Sequence, residues 1–287
     1  MQKIRKAVVA VAGSGTRLLP ATKSMPKEML PIIDKPIIQL VVEELVEAGI
    51  TDIILVTKWD KKPLEDHFDR NLELESNLEK TGKMDRLKEV RKISELANFI
   101  YVRQKGPYGN GVPVLSAASL VQNEPFVYVW GDDLVRSKTS FTKQMVDDYG
   151  KNGSLMIGVQ EVPKDQVDRY GIVKLEPGTM RIEDIIEKPS IKEAPSHLAD
   201  FGRMILDQDI IDILKKTALG KGNELWIVDA IRTYIKNGGK FYAKKVQDGK
   251  WLTTGDPVNY FMALLEYASG REDLREELIN YCQGLKR

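Results

Sequence analysis

The chain has 287 residues, with 43 basic and 42 acidic side chains for a net charge of +1, and is 42% hydrophobic and 30% charged. That size suits one large domain or two modest ones with a full apolar core. The near-neutral balance removes the long-range field that would favour nucleic acid or an anionic membrane as partner. A single cysteine, Cys282, excludes an internal disulfide and a cysteine zinc cage, and with only His67 and His197 a histidine-rich metal site is not expected. The first apolar run, Ala7 to Ala12, is too short for a signal segment or a membrane span, so a soluble, cytoplasmic protein is expected.

Lys6 to Ala12 is short, β-branched and nearly all apolar, which predicts a buried parallel strand ending at Gly13. Pro36 to Gly49 places Ile37, Leu40, Val41, Leu45 and Ala48 at helical spacing, with Gly49 at the C-cap position. Asp52 to Thr57 reads as a second buried strand, so the three segments form a right-handed βαβ unit. The charged stretch from Lys61 to Leu96 predicts one or two amphipathic helices, a helical insertion over 61–97. Further strands are expected at Phe99–Val102, Pro125–Trp130 and Ser154–Glu161, with a helix over Val112–Val121 between the first two. Gly171–Leu175 and Arg181–Glu187 should pair in antiparallel fashion around the Pro177-Gly178 turn. Helices are predicted at Asp207–Leu219, Trp226–Lys236 and Pro257–Ser269. A charged amphipathic helix should follow over 271–287, with Leu274, Leu278 and Tyr281 on one side. One mixed α/β domain over 1–270 with peripheral additions fits this order.

Directly after the first strand stands Ala12-Gly13-Ser14-Gly15-Thr16-Arg17. Two glycines let a backbone approach a ligand, and bare N–H groups at a strand end form an anion cradle. No Lys-Ser/Thr follows at Walker spacing, and Leu18 stands where a dinucleotide fingerprint needs its third glycine. Taken alone, the loop is a phosphate site or a tight structural turn. Arg17, Lys23 and Lys27 follow within one segment punctuated by Pro20, Pro26 and Pro31, which is a shaped loop rather than a helical face. A glycine cradle backed by fixed cations is what a triphosphate requires.

With these marks the sequence resembles the bacterial-type UTP–glucose-1-phosphate uridylyltransferases among the sugar nucleotidylyltransferases. The resemblance spans about residues 5 to 268 and rests on motifs in one order. They are Ala12–Arg17 with Leu19-Pro-Ala-Thr-Lys23, Pro26-Lys-Glu-Met-Leu-Pro31, Asp34-Lys-Pro36 and Glu65-Asp-His-Phe-Asp69. Val102-Arg-Gln104, Gly131-Asp-Asp133, Tyr170-Gly171, Glu187-Lys-Pro189 and Gly202-Arg203 complete the set. It implies a Rossmann-like, three-layer fold with a mixed, mostly parallel sheet, helices on both faces, and the nucleotide at the carboxyl edge of the strands.

The resemblance further implies Mg²⁺-dependent transfer of UMP from UTP to a hexose 1-phosphate, giving UDP-glucose and pyrophosphate, in a homodimer or homotetramer. Ala12, Gly13, Gly15, Thr16, Gln104 and Gly109 fall to the nucleotide, and Arg17 and Lys27 to its phosphates. Asp132 falls to Mg²⁺, Glu187 and Gly171 to the sugar, and Lys188 to the sugar phosphate, with Arg17, Lys27, Asp132 and Lys188 as the catalytic set. His67 is expected to be structural. The Lys61–Leu96 and 271–287 segments are candidate subunit contacts.

Departures from the family pattern cluster near the sugar and the metal. The usual Tyr-Asp-Thr-Gly is Leu252-Thr-Thr-Gly255, and Glu-Ile-Gln-Leu-Thr-Asp is Glu224-Leu-Trp-Ile-Val-Asp229. The stretch Gly-Leu-Gly-His-Ala is Gly109-Asn-Gly-Val-Pro113, and Ser-Asn-Leu-Ala-Ile-Val-Gly is Ser196-His-Leu-Ala-Asp-Phe-Gly202. Trp226 and Val228 thus replace polar groups, and Trp226 is expected to present an apolar face to the sugar, which would relax discrimination between epimers. Two alternatives stay open at this stage. One is the same chemistry on another hexose 1-phosphate or with dTTP; the other is a weakly active UDP-sugar-binding regulatory paralogue.

Overall fold

A computed structural model describes residues 2–285; Met1 of the expected domain and Lys286 and Arg287 of the expected tail helix lie outside the described residues. Strand β1 (Lys6–Ala10) carries Ala7, Val8 and Val9 with no exposed surface, as its unbroken apolar run requires. Three single 3-10 turns between Thr16 and Met29 form the proline-punctuated loop, and the short ladder β2 (Pro31–Ile32) and β3 (Lys35–Pro36) leads into α1 (Ile37–Glu47). There follow β4 (Asp52–Thr57), α2 (Lys62–Phe68), α3 (Leu72–Lys80), α4 (Met84–Ser94), β5 (Asn98–Arg103), α5 (Val112–Val121) and β6 (Phe126–Trp130). The second half contains β7 (Asp133–Ser137), α6 (Phe141–Asn152), β8 (Leu155–Glu161), β9 (Gly171–Leu175), β10 (Ile182–Glu187) and β11 (Leu198–Leu206). It closes with α7 (Gln208–Leu214), α8 (Ile227–Lys236), β12 (Phe241–Lys245), β13 (Gly249–Thr253), α9 (Pro257–Ser269) and α10 (Glu272–Gly284).

Nine strands form one mixed sheet in the order β10-β9-β11-β6-β1-β4-β5, with β8 attached to β11 and β12 to β8. The β6, β1, β4 and β5 part is parallel, and β11 runs antiparallel to β6, β8 and β9. The chain proceeds from β1 to β4 to β5 in one direction, then returns through α5 to place β6 on the other side of β1. Right-handed crossovers put α1 and α5 on opposite faces for that reason. The carboxyl ends of β1 and β6 therefore flank a topological switch point, where ligands bind in open α/β sheets.

The insertion over 61–97 holds three helices, α2 to α4, not one or two. Buried Glu75 of α3 joins Arg70 and Arg91 by ion pairs of 2.5 and 2.8 Å. Helix α7 stops at Leu214, short of the expected Leu219, and the Thr217 hydroxyl donates back to the Ile213 carbonyl at 3.0 Å. Six strands, β2, β3, β7, β11, β12 and β13, and the helix α6 were not expected. All nine residues of β11 are buried, but Asp200 and Arg203 interrupt its apolar run and hide the signal. No helix among the described residues is long and apolar enough to cross a membrane. Helix α10 buries no residue, and α9 leaves Val258, Phe261 and Met262 exposed.

Candidate active site

A cavity of about 540 Å³ opens at the switch point. One wall is the loop after β1, where Ala12, Gly13, Ser14 and Arg17 face the space, and the opposite wall carries Gly171, Glu187, Lys188 and Trp226. Gln104 and Gly109 line the end beyond the glycine loop, and Asp132 and Thr253 lie beside Arg17 and Lys27.

Lys27 crosses the glycine loop so closely that a Cβ on Gly13 would meet its Cε at 3.1 Å. Its Nζ reaches Asp132 Oδ2 at 2.5 Å. Burial would lower the Lys27 ammonium, but Asp132 and then Glu28 outweigh it and raise the group. Burial would raise the Asp132 carboxyl, but the charges of Lys27 and Arg17 hold it below the ordinary range. Behind this pair, Glu28 is fully buried against Lys61 at 2.7 Å. Asp133 accepts the Gly202 N–H at 3.1 Å; burial, then the neighbouring Asp132 charge, pushes it up to about 6. Arg203, without exposed surface, pairs with Glu44 at 2.6 Å and also donates to the Asp133 carbonyl.

The end near Gln104 is built by backbone. Gln104 N–H donates to the Thr57 carbonyl at 2.8 Å, which fixes the residue beyond β5 while its side chain faces the cavity. Gly109 has φ +125, and a Cβ there would fall 2.2 Å from the Leu225 carbonyl oxygen, so only glycine permits this contact. The neighbouring bonds from Leu225 N to Tyr108 O and from Gly111 N to Leu225 O, both 2.8 Å, tie the two segments together.

On the opposite wall, Lys188 takes a positive φ of 43 and its Nζ sits 4.0 Å from the centre of the Trp226 ring. The indole Nε1 donates to the Lys221 carbonyl at 2.9 Å, and Lys221 in turn donates to the Lys188 carbonyl at 3.0 Å. Glu187 Oε1 lies 3.6 Å from Lys188 Nζ, while its Oε2 is buried without a partner. Burial pushes Glu187 up to about 7 despite Lys188.

Known proteins resemble this chain in sequence and in fold. The family model for nucleotidyl transferases matches residues 6–270. The chain belongs to the nucleotidyl transferase family. It is 43% identical to the UTP–glucose-1-phosphate uridylyltransferase of Bacillus subtilis, over 99% of this chain and 98% of that relative. Among solved structures, the UTP-bound UGPase of Acinetobacter baumannii matches with TM-score 0.88 and 38% identity over 99% of this chain and all of the other. A UDP-glucose pyrophosphorylase complexed with UDP-glucose matches with TM-score 0.83 and 41% identity, over 93% of this chain and 100% of that one.

Most residues expected at the site of this nucleotidyl transferase meet in the cavity; Gly15 and Thr16 do not line it. Gly15, at φ +65, is packed against Thr22 and Lys27 and receives the Thr22 hydroxyl on its carbonyl at 2.8 Å, so it shapes the loop from behind. Lys23 is also outside. Val228 is wholly buried in the core and cannot alter the pocket, and the Trp226 face expected for a sugar carries the Lys188 ammonium. His67 bonds Gln39 at 3.0 Å away from the site, in keeping with a structural role. Asp256 lines the cavity but is committed: it caps α9 through Asn259 N–H at 3.0 Å and pairs with Arg169 at 2.8 Å. Arg169, Trp130 and Trp251 also line the cavity and were not expected there.

Among the described residues no three His, Cys, Asp or Glu side chains gather as a metal cage. One ionised carboxylate, Asp132, beside the Thr253 hydroxyl does suit a hard cation that takes its other oxygens from water and phosphate. Lys27 holds that same carboxylate, so an ammonium and a cation compete for it.

Proposed function

We propose that this nucleotidyl transferase joins UTP to glucose 1-phosphate, releasing pyrophosphate and forming UDP-glucose. One observation carries the reading: a single cavity has a glycine loop with Arg17 and Lys27 on one wall and a separate cation, Lys188, beside a carboxylate on the other. Two anionic substrates can therefore lie side by side. The relatives named for this reaction, and those solved with UTP and with UDP-glucose, support the same assignment.

Gln104 offers a donor and an acceptor to the uracil edge, and Ala12, Gly13 and Gly109 let the nucleoside approach the backbone. Lys188 holds the phosphate of the hexose, with its ammonium fixed by Trp226, and Glu187 accepts from a ring hydroxyl. The phosphate oxygen of the sugar attacks the α-phosphorus of UTP while the bond to the β-phosphate oxygen breaks. No covalent enzyme intermediate is required, so the chain contributes alignment and charge. Arg17 and Lys27 neutralise the departing pyrophosphate, and for this Lys27 turns from Asp132 to the phosphates. Mg²⁺, held by Asp132, would supply charge neutralisation on the phosphates when bound. A cytoplasmic location and a homodimer or homotetramer belong to this reading; an exposed free Cys282 suits a reducing compartment.

Pyrophosphate release with UTP and dTTP over a panel of sugar 1-phosphates is the test. A preference for UTP with glucose 1-phosphate is expected. Faster turnover of another pair would move the substrate assignment, and no release with any pair would leave a binding protein.

A further inference from the structure

Three residues on neighbouring strands form a row across the sheet. Glu187 of β10 lies directly opposite Gly171 of β9. The β9–β11 register, Ile172 opposite Ala199, sets Gly171 opposite Asp200. Residues opposed across antiparallel strands project to the same face. The two carboxyl groups therefore rise on either side of a position with no side chain. The missing side chain matters, because a Cβ on Gly171 would fall 2.8 Å from Asp200 Oδ1.

Asp200 is buried to 1% exposure and does not line the cavity. Its Oδ1 accepts the Gly171 N–H at 2.9 Å, and its Oδ2 has no partner. Glu187 repeats the pattern, with Oε1 toward Lys188 and a buried, unpartnered Oε2. Each carboxyl thus keeps one buried oxygen without a partner, and the Asp200 carboxyl lies over Gly171, the residue directly opposite Glu187. Two carboxylates cannot both stay ionised there, and a proton between them would satisfy both orphans at once. We propose that Asp200 is a positioning residue for the sugar: protonated, it donates from its orphan oxygen to that of Glu187, leaving the other Glu187 oxygen to a substrate hydroxyl. This rests on the reading that Glu187 takes a ring hydroxyl.

The charges facing Asp200 agree. Burial, then Glu187, raise it well above the ordinary carboxylate range, with Asp133 adding to them and Lys188 and the Gly171 N–H opposing. From β8 its register partner is apolar Val159. Lys188 acts on Glu187 more directly, through the 3.6 Å contact, so the proton resides on Asp200 and the negative charge on Glu187.

Two measurements test the proposal. Infrared spectra of the free protein at about pH 8 should show a protonated carboxyl band that is lost in Asp200→Asn, since ordinary carboxyls are ionised there. No such band, or a band that persists in the variant, overturns the shared proton whatever the substrates prove to be. In pyrophosphate-release kinetics, Asp200→Ala should raise KM for glucose 1-phosphate on the order of 10- to 100-fold, the value of a hydrogen bond to a charged group. KM for UTP should stay within about twofold, and Asp200→Asn, whose amide can still donate to Glu187, should restore most of the loss. Asp200→Ser replaces the alanine variant if that one does not fold. Equal damage from Asn and Ala, or a parallel rise in both KM values, overturns the positioning role. If the wild type turns over no sugar phosphate, the functional reading fails while the infrared result still decides the proton pair.

Discussion

The two walls of the cavity handle buried charge in opposite ways. Beside the glycine loop the charges lie in short opposed pairs: Lys27 with Asp132 at 2.5 Å, Lys61 with Glu28 at 2.7 Å, and Arg203 with Glu44 at 2.6 Å behind them. On the other wall Glu187 and Asp200 each keep an unpartnered oxygen, and the nearest cation, Lys188, lies over an aromatic ring with a looser 3.6 Å contact to Glu187. A triphosphate brings several charges that must meet fixed opposites, so preorganised pairs suit that wall. A sugar brings neutral hydroxyls, and acceptors left open are what it can satisfy.

That contrast can be broken from either side. The largest effect is expected for Glu44→Ala, which strands the guanidinium of Arg203 in the core and should cost about 3–5 kcal/mol of stability by denaturant unfolding. A loss under about 1 kcal/mol would show that the pair is solvated in solution. Lys27→Ala should lower kcat by roughly 100-fold or more, as for loss of a preorganised charge at a transition state. Lys23→Ala, outside the cavity, should do little. Steady-state kinetics that show equal effects for both would reduce the loop to surface charge.

On the sugar wall the pH dependence follows from Glu187. Its native value, about 7, lies above the ordinary 4.5, so the native state binds the proton more tightly than the unfolded chain does. The stability from this group is complete below the ordinary value and is lost as pH rises through about 7. Sugar binding runs the other way, since the acceptor must be ionised. The kcat/KM for glucose 1-phosphate should fall about tenfold per pH unit on the acid side of that value, and Glu187→Gln should remove this limb from the profile. Trp226→Gln, which takes the ring from under Lys188, should raise KM for the sugar phosphate by a factor of about 3 to 30. The smallest effect is expected for Arg169→Met, where a half-exposed pair with Asp256 is worth about 0–1 kcal/mol.

The parallel half of the sheet was readable because its central strands are apolar runs between turn residues; β4 at Asp52–Thr57 matches its expected bounds, as does the helix α5 at Val112–Val121. The antiparallel half was less readable. Strand β11 carries two buried polar side chains, Arg203 and Asp200, whose partners, Glu44 and the Gly171 N–H, are 159 and 29 positions away. No local pattern reports such pairings. Ala12, Gly13, Arg17 and Lys27, which the motif resemblance pointed to, line the cavity, whereas the Lys188–Trp226 contact and the row of Glu187, Gly171 and Asp200 depend on tertiary packing and on register between strands. Val228 and Trp226 stand two positions apart, yet one is core and the other faces the cavity, a distinction set by where α8 begins.

The ribbon of β7 and β13 also orders events in time. Thr254, from the end of that ribbon, donates through its amide and hydroxyl to the Asp132 carbonyl, at 3.1 and 2.7 Å, across 122 positions of sequence. A ribosome therefore delivers the glycine loop and Asp132 long before the segment that closes the corner around them. Contacts so distant in the chain form late. A nascent chain stalled before residue 249 should release no pyrophosphate, and one stalled after residue 270 has emerged should do so; activity from the shorter chain would show that the ribbon is dispensable. On that expectation, the unfinished chain spends no UTP.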